Sequence, residues 1–329
     1  MNNRFVALWI IWTLLGGALI YGVSVSEVED GILQIVANTL SLSPLLGLML
    51  ALGSVKASIQ FNNWLNDNKN SFYYLAGGLT FLFALPGFLT GTFNPYYTVI
   101  FSLIVFMVFG ILKQAKDKSF KLNWSDVAVW IILWILFDLR WYMEILPAVG
   151  DISYTWWAIA VSVIALIGWY GFRGADIGFN LVPRFKDIYI TLIALIVIMV
   201  IVIPPGLATG FLTFSIPDSY DIPKLAIHFI GLFLTVALPE ELFFRGILLR
   251  GLEKMVSKKW IPLVISSLAF GLMHWNNVGT LSTQIIYVSL ASIAGLGYGW
   301  AYRKSGNNLL AAILVHTLVD WIWKLFLTS

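Results

Sequence analysis

Stretches of about twenty apolar residues follow one another along almost the whole chain, and each is long enough to cross a bilayer as a helix. The chain is 59% hydrophobic and only 11% charged, whereas soluble domains usually carry about 25% charged residues. The sequence therefore predicts an all-α, polytopic transmembrane helical bundle of about eleven spans, within a range of nine to thirteen. The predicted spans cover approximately residues 5–24, 31–53, 71–92, 95–113, 125–148, 155–171, 187–203, 223–251, 260–275, 281–302 and 308–327.

Lysine and arginine residues cluster in alternate loops between these spans. They precede the first span and then occur near residues 53–70, 113–121, 173–186, 250–259 and 303–304. The loops between these clusters carry neither residue, and they lie near residues 90–95, 149–154, 204–222 and 276–281. Because basic loops stay on the cytoplasmic side, this alternation predicts an integral protein of the cell membrane with a cytoplasmic N-terminus. The net charge of +3 is then a sign of topology, and we expect no nucleic-acid partner.

The basic loop around residues 172–187 is the best boundary between two domains. We predict that residues 1–174 form an N-terminal transmembrane extension of about six helices, and that residues 175–329 form a helical core. Nearly all strong polar clusters follow the loop. The exception is Asp138, Arg140 and Glu144 in the fifth predicted span, where Arg140 and Glu144 are four residues apart and are expected to form a structural ion pair.

Two adjacent acids interrupt the apolar run from Ala237 to Gly246. Ionisable groups at membrane depth are costly, so they mark functional positions by default. Glu241 and Arg245 are four residues apart and can pair on one helix face, whereas Glu240 and Arg245 are five apart and cannot. Glu240 is therefore left free, and a free carboxylate in a low-dielectric site can serve as a general base or acid. The alternative is that the two acids link neighbouring helices and have no catalytic role.

Two of the three histidines lie in later apolar segments, each four residues from a potential partner. Phe270 and His274 share one helix face, so the ring can pack beside the imidazole. His316 and Asp320 share another face and can form a hydrogen bond, which alone would be a structural link. Helix rise places both histidines and Glu240 roughly 12–21 Å from the predicted cytoplasmic ends of their helices, so the three can meet inside the membrane, on its cytoplasmic half or near its middle. His228 lies near the other end of the helix that carries Glu240 and is expected to be structural.

These motifs resemble those of the CAAX prenyl protease 2 type, within the broad family of CAAX proteases and bacteriocin-processing (CPBP) enzymes. The family signature is Glu-Glu-x-x-x-Arg, Phe-x-x-x-His and His-x-x-x-Asn, or a similar polar residue in the last position, on separate transmembrane helices. The matching residues here are Glu240, Glu241, Arg245, Phe270, His274, His316 and Asp320. The resemblance covers about residues 175–329 and implies that this core is an intramembrane peptidase.

The resemblance also implies a role for each residue in a glutamate protease. Glu240 with His274 would activate a water, and His316 with the residue four beyond it would stabilise the oxyanion. Glu241 and Arg245 would hold the site together, and Phe270 would support His274. Asp320 departs from the family asparagine, because an ionised aspartate accepts hydrogen bonds but does not donate them. Asp320 is therefore either protonated or orients His316, which is then the main donor.

The substrate implied by the resemblance is a membrane-associated peptide or protein, with or without a prenyl group, in contact with the lipid bilayer. We expect no cofactor. The absence of cysteine removes thiolate ligands and a cysteine nucleophile. Zinc remains an alternative, since Glu240, His274, His316 and Asp320 are suitable ligands, although no His-Glu-x-x-His motif is present. Two non-enzymatic alternatives are an immunity or scaffold protein on the same fold, and a transporter with a proton relay. The sequence leaves the oligomeric state open.

Overall fold

The computed structural model describes residues 3–27, 31–117, 120–138, 146, 152–216 and 221–328. Nearly all of these residues are helical, and nine helices among them are long and apolar enough to cross a membrane. The predicted all-α, polytopic transmembrane bundle is confirmed. The nine helices cover Arg4–Gly22, Ile32–Leu52, Ser71–Thr90, Pro95–Gln114, Ser153–Phe172, Phe185–Ala208, Ile222–Glu253, Leu281–Lys304 and Leu309–Phe326.

The chain divides into two compact units, Met1–Ala175 and Asp176–Ser329. The roles assigned to residues 1–174 and 175–329, a transmembrane extension and a catalytic core, stay predictions. The first unit contains seven described helices: α1 (Asn3–Glu27), α2 (Ile32–Leu52), α3 (Val55–Asp67), α4 (Ser71–Thr90), α5 (Pro95–Gln114), α6 (Trp124–Asp138) and α7 (Ser153–Ala165), the last continued by a π-helical turn at Leu166–Phe172.

Two features of the first unit differ from the sequence predictions or lie beyond them. Helix α3 occupies a stretch that was expected to be a loop, because Ala57, Phe61 and Leu65 recur every four residues and bury one face of a short amphipathic helix. The unit also holds a fully buried ion pair, with Arg173 Nε 3.1 Å from Asp126 Oδ1. The ion pair expected for Asp138, Arg140 and Glu144 lies outside the described side chains.

The second unit contains five helices and a small two-stranded ribbon. The helices are α8 (Phe185–Ala208), α9 (Ile222–Glu253), α10 (Trp260–Leu272), α11 (Leu281–Lys304) and α12 (Leu309–Phe326). Strands β1 (Thr213–Phe214) and β2 (Leu327–Thr328) pair antiparallel, with Thr213 opposite Thr328. Helix α11 packs against α8, α10 and α12, and is the helix around which the others of this unit gather.

Local sequence explains where these helices begin. Asp221 caps α9, since its side chain accepts from the backbone N–H of Lys224 at 3.1 Å and a proline follows in the first turn. Thr280 caps α11 by accepting from the N–H of Thr283. Asn308 precedes α12 and also donates to Asp187 Oδ2 at 3.0 Å, which ties the start of α12 to the start of α8.

Helix α9 is not a uniform α-helix. Its α-helical parts, Ile222–Gly231, Leu238–Glu241 and Arg250–Glu253, alternate with π-helical parts at Leu232–Ala237 and Leu242–Leu249. The two adjacent acids, Glu240 and Glu241, lie in the short α-helical part between the two π-helical ones. Such π-helical turns are rare and frequently occur at functional sites.

Helix α10 is shorter than the sequence predicted. A span over residues 260–275 was expected, but the α-helix ends at Leu272 and a short 3-10 turn follows at Trp275–Asn277. Thirteen residues extend over only about 20 Å, which is less than the hydrocarbon core of a bilayer. The apolar character of this segment was read correctly, but its length was not, because the residues that follow Leu272 form turns.

Candidate active site

A buried carboxylate joins α9 to α12. Glu241 and Arg245 have fully buried side chains, and Arg245 Nη1 donates to Glu241 Oε1 at 2.9 Å. His316 Nδ1 lies 2.9 Å from the same oxygen. The sequence-based expectation that Arg245 pairs with Glu241 is confirmed. Because a carboxylate beside a guanidinium accepts hydrogen bonds, this arrangement places a proton on His316 Nδ1.

The other nitrogen of His316 faces the two remaining acids. His316 Nε2 lies 3.3 Å from Asp320 Oδ2 and 3.8 Å from Glu240 Oε2. The spacing of four residues between His316 and Asp320 therefore produces the contact expected from the sequence. The Glu240 side chain is 15% exposed, yet its Oε2 atom is buried and forms no hydrogen bond within the described part of the chain. Glu241 Oε2 is likewise buried without a hydrogen bond in this part of the chain, so the two acids differ in the partial exposure of Glu240 and in the partners that hold Glu241 Oε1.

His274 follows the end of α10 and is held by Phe270. The two rings lie 5.0 Å apart between centroids, and His274 Nδ1 is 3.0 Å from the carbonyl oxygen of Phe270. Because a carbonyl oxygen only accepts, this contact places the proton on Nδ1 and leaves Nε2 as an acceptor. Phe270 also meets the His316 ring edge-on at 5.4 Å, so it connects the two histidines.

All seven residues expected at the site therefore lie in one connected cluster, although not all are in direct contact. Among the described residues, no hydrogen bond or ion pair joins His274 to Glu240. If His274 and Glu240 act on the same water molecule, that water must lie between their side chains. His228 lies in the first α-helical part of α9, twelve residues before Glu240.

Three residues of α11 contribute to the cluster and were missed by sequence reasoning. The carbonyl oxygen of Gly295 accepts from Arg245 Nη2 at 2.9 Å. Tyr298 stacks on His316, with centroids 4.6 Å apart and ring planes at 15°. Tyr287 meets His274 edge-on at 4.9 Å. Their spacing along α11 is compatible with one helix face, but the chain has thirteen tyrosines, so no local signal singled these out.

The cluster offers little free space around Arg245. A side chain at Gly295 would bring a Cβ atom within 3.1 Å of Arg245 Nη2 and within 3.2 Å of the Phe270 ring. The guanidinium carbon lies 4.5 Å from the centroid of the Phe270 ring, at cation–π distance. The cation is therefore enclosed by its carboxylate partner, a backbone carbonyl and aromatic rings, which suits a structural role.

Among the residues that the structure describes, no group of three or more His, Cys, Asp or Glu side chains is arranged to hold a metal ion. The expectation of a cofactor-free site stays a prediction.

Residues 222–322 match the family model described as type II CAAX prenyl endopeptidase Rce1-like. This segment is similar to the Rce1-like family, and we name it the Rce1-like region. The match starts at the beginning of α9 and ends just beyond Asp320, so the Rce1-like region contains every residue of the cluster described above. The family resemblance drawn from the three motifs is thereby confirmed. Comparisons with curated proteins and with solved structures found no match.

Proposed function

We propose that this protein is an intramembrane endopeptidase of glutamate type, with Glu240 as the general base. The observation that carries the proposal is the contrast between the two adjacent acids. Each acid has one buried oxygen without a hydrogen bond among the described residues, but Glu241 is fully buried and its other oxygen is held by Arg245 and His316. Glu240 is 15% exposed, and its Oε2 lies 3.8 Å from His316 Nε2. A carboxylate with an open acceptor position in a low-dielectric site is suited to take a proton from water.

The hydrolysis follows from this arrangement. Glu240 takes a proton from a water molecule while His274 Nε2 helps to orient that water, and the water oxygen attacks the scissile carbonyl carbon. The oxyanion of the tetrahedral intermediate forms near His316 Nε2, which donates to it in the doubly protonated form of the imidazole. Glu240 then returns the proton to the leaving amine as the C–N bond breaks, so water is divided between the new carboxyl and amino groups. Asp320 orients His316, and Glu241 with Arg245 holds it from the opposite side.

The substrate we propose is a membrane-associated peptide, in particular a CAAX-type C-terminus with or without a prenyl group. The Rce1-like region supports this, as does the position of the acids near the middle of α9, a helix long and apolar enough to cross a membrane. We place the protein in the cell membrane with its N-terminus in the cytoplasm and the site toward the cytoplasmic side. The alternation of basic loops supports this orientation.

The test compares wild type with Glu240→Gln, each purified in detergent, on a fluorescence-quenched farnesylated C-terminal peptide and on its unprenylated counterpart. Loss of a general base typically lowers the rate by about 10²–10⁴-fold, so we expect cleavage by wild type and nearly none by the variant. Glu253→Gln is the matched control, since Glu253 lies on the same helix but pairs with Arg303 at 2.6 Å, away from the site.

Two results would contradict the proposal. Equal cleavage by wild type and Glu240→Gln would remove Glu240 from the chemistry. Full cellular function of Glu240→Gln, in cells that depend on the protein, would favour the immunity or scaffold alternative.

A further inference from the structure

Tyr298 lies between the two positively charged or chargeable side chains at the centre of the site. Its side chain is 2% exposed. Its ring is stacked on that of His316, with 4.6 Å between centroids and 15° between planes. The guanidinium carbon of Arg245 lies 5.2 Å from the centroid of the same tyrosine ring. Neither the family motifs nor the proposed mechanism assigns a role to this residue.

The polar contacts of His316 hold its two nitrogens at the ring edge and leave the face of the ring to other neighbours. Nδ1 lies 2.9 Å from Glu241 Oε1, and Nε2 lies 3.3 Å from Asp320 Oδ2. The Phe270 ring lies nearly perpendicular to the imidazole, at 86°. The nearly parallel tyrosine ring covers the face of the imidazole and thereby sets its plane.

The electrostatic character of an aromatic face supports the same role. Such a face carries partial negative charge and attracts a cation above it. As His316 donates to the developing oxyanion, positive charge is needed on its ring. A tyrosine ring stacked on the imidazole, with 15° between the ring planes, favours that charge.

We propose that Tyr298 is a positioning residue of His316 in addition to Glu241 and Asp320, and that its ring, not its hydroxyl group, helps to aim His316 Nε2 at the scissile carbonyl. This inference rests on the proposed function, because it assigns His316 the oxyanion contact. It adds a fourth helix, α11, to the three that carry the family motifs. The motif residues alone would then be insufficient for full activity.

The kinetic test compares Tyr298→Phe with Tyr298→Leu and Tyr298→Met on the cleaved peptide. Tyr298→Phe keeps the ring, so kcat should stay within about threefold of wild type, whereas loss of a positioning contact can lower kcat by up to ~10²-fold with KM changed by less than about twofold. Tyr298→Met is included because its side chain is similar in volume to that of leucine but more adaptable, should Tyr298→Leu fail to fold. Equal losses for Tyr298→Phe and Tyr298→Leu would overturn the proposal, because they would assign the effect to the hydroxyl group.

A second measurement does not depend on cleavage. The chain has three histidines, so selective isotope labelling of histidine gives a simple NMR spectrum in detergent, and His316→Asn identifies the His316 signal by its absence. We expect the ring protons of His316 to be shifted upfield by the stacked tyrosine, the shift to persist in Tyr298→Phe, and to disappear in Tyr298→Leu or Tyr298→Met. A His316 signal that is unshifted in wild type would overturn the proposal. If the shifts are found but no peptide is cleaved, the proposed function fails while the positioning of His316 by Tyr298 stands.

Discussion

His316 Nδ1 lies 2.9 Å from Oε1 of Glu241, and the same carboxylate oxygen accepts a hydrogen bond from Arg245. A carboxylate that holds one nitrogen of an imidazole keeps a proton on that nitrogen and sets the direction of the other nitrogen. Here the other nitrogen faces Glu240 and Asp320. The second acid of the pair is thus the support of a histidine, while the first remains free.

The contact between His316 and Asp320 predicts that Asp320→Asn is tolerated. Asparagine can still accept from His316 Nε2, whose distance to Asp320 Oδ2 is 3.3 Å, and its amide can in addition donate to the oxyanion. We expect cleavage by Asp320→Asn at or above the wild-type rate, and a loss of about 10–10²-fold for Asp320→Ala, where both functions are removed. Steady-state kinetics on the same peptide measures this. If the asparagine variant is as slow as the alanine variant, the negative charge itself is required.

The buried pair of Arg245 and Glu241 predicts a large effect on stability. Arg245→Ala leaves an uncompensated buried carboxylate and should lower the free energy of unfolding by about 3–5 kcal/mol. Arg245→Lys keeps the charge but lacks the fork that serves both Glu241 and the Gly295 carbonyl, so it should be intermediate. Unfolding in detergent, followed by circular dichroism, provides the values.

Arg250→Ala is the control for this comparison. Arg250 lies on the same helix, but its partner Asp176 has a side chain that is 76% exposed. Exposed pairs contribute about 0–1 kcal/mol, so the change should be small. If Arg245→Ala and Arg250→Ala lower the free energy of unfolding by similar amounts, burial of the pair of Arg245 and Glu241 does not make that pair more important for stability.

The close approach of α10 and α11 predicts that Gly271→Ala is destabilising. A Cβ atom at this position would overlap Ser292 Oγ and lie 2.5 Å from the carbonyl oxygen of Val288, which belongs to a helix backbone and cannot easily move. Overpacking of this kind costs about 1–3 kcal/mol. Gly231→Ala is the matched control, since a Cβ atom at this helical glycine meets nothing within 4 Å, and alanine favours the helix. The prediction is wrong if both variants unfold at the same temperature as wild type.

The proposed mechanism predicts that removal of metal leaves cleavage intact. Glu240 activates water by taking its proton, so no Lewis acid enters the steps derived above. Treatment with a chelator, with the residual zinc measured by mass spectrometry, should leave the rate of peptide cleavage within about twofold of the untreated enzyme. Loss of activity on chelation that is restored by added zinc would instead support a zinc-dependent protease.

The sequence predicted the features that arise from local patterns. Long apolar stretches yield spanning helices, and spacings of four residues yield the contacts of Arg245 with Glu241, of His274 with Phe270 and of Asp320 with His316. These contacts form within one helix or at its end, so residue spacing alone is sufficient to anticipate them.

The features that were missed depend on neighbouring helices or on backbone hydrogen bonding. Tyr298 and Gly295 acquire their roles only when α11 lies against α9 and α12. The sequence around these two residues contains no pattern that predicts the packing. The π-helical parts of α9 shift hydrogen bonds by one residue without changing composition. The end of α10 at Leu272 is set by turns, and hydropathy averaged over a span does not resolve them.

Because α10 is short, the environment of the site is expected to depend on the thickness of the surrounding bilayer. A helix of thirteen residues does not match a hydrocarbon core of about 30 Å. The bilayer must thin beside α10, or the polar turn at Trp275–Asn277 must lie below the headgroups. His274 follows this end of the helix, so we expect the acyl chain length of the host membrane to change how easily water reaches it.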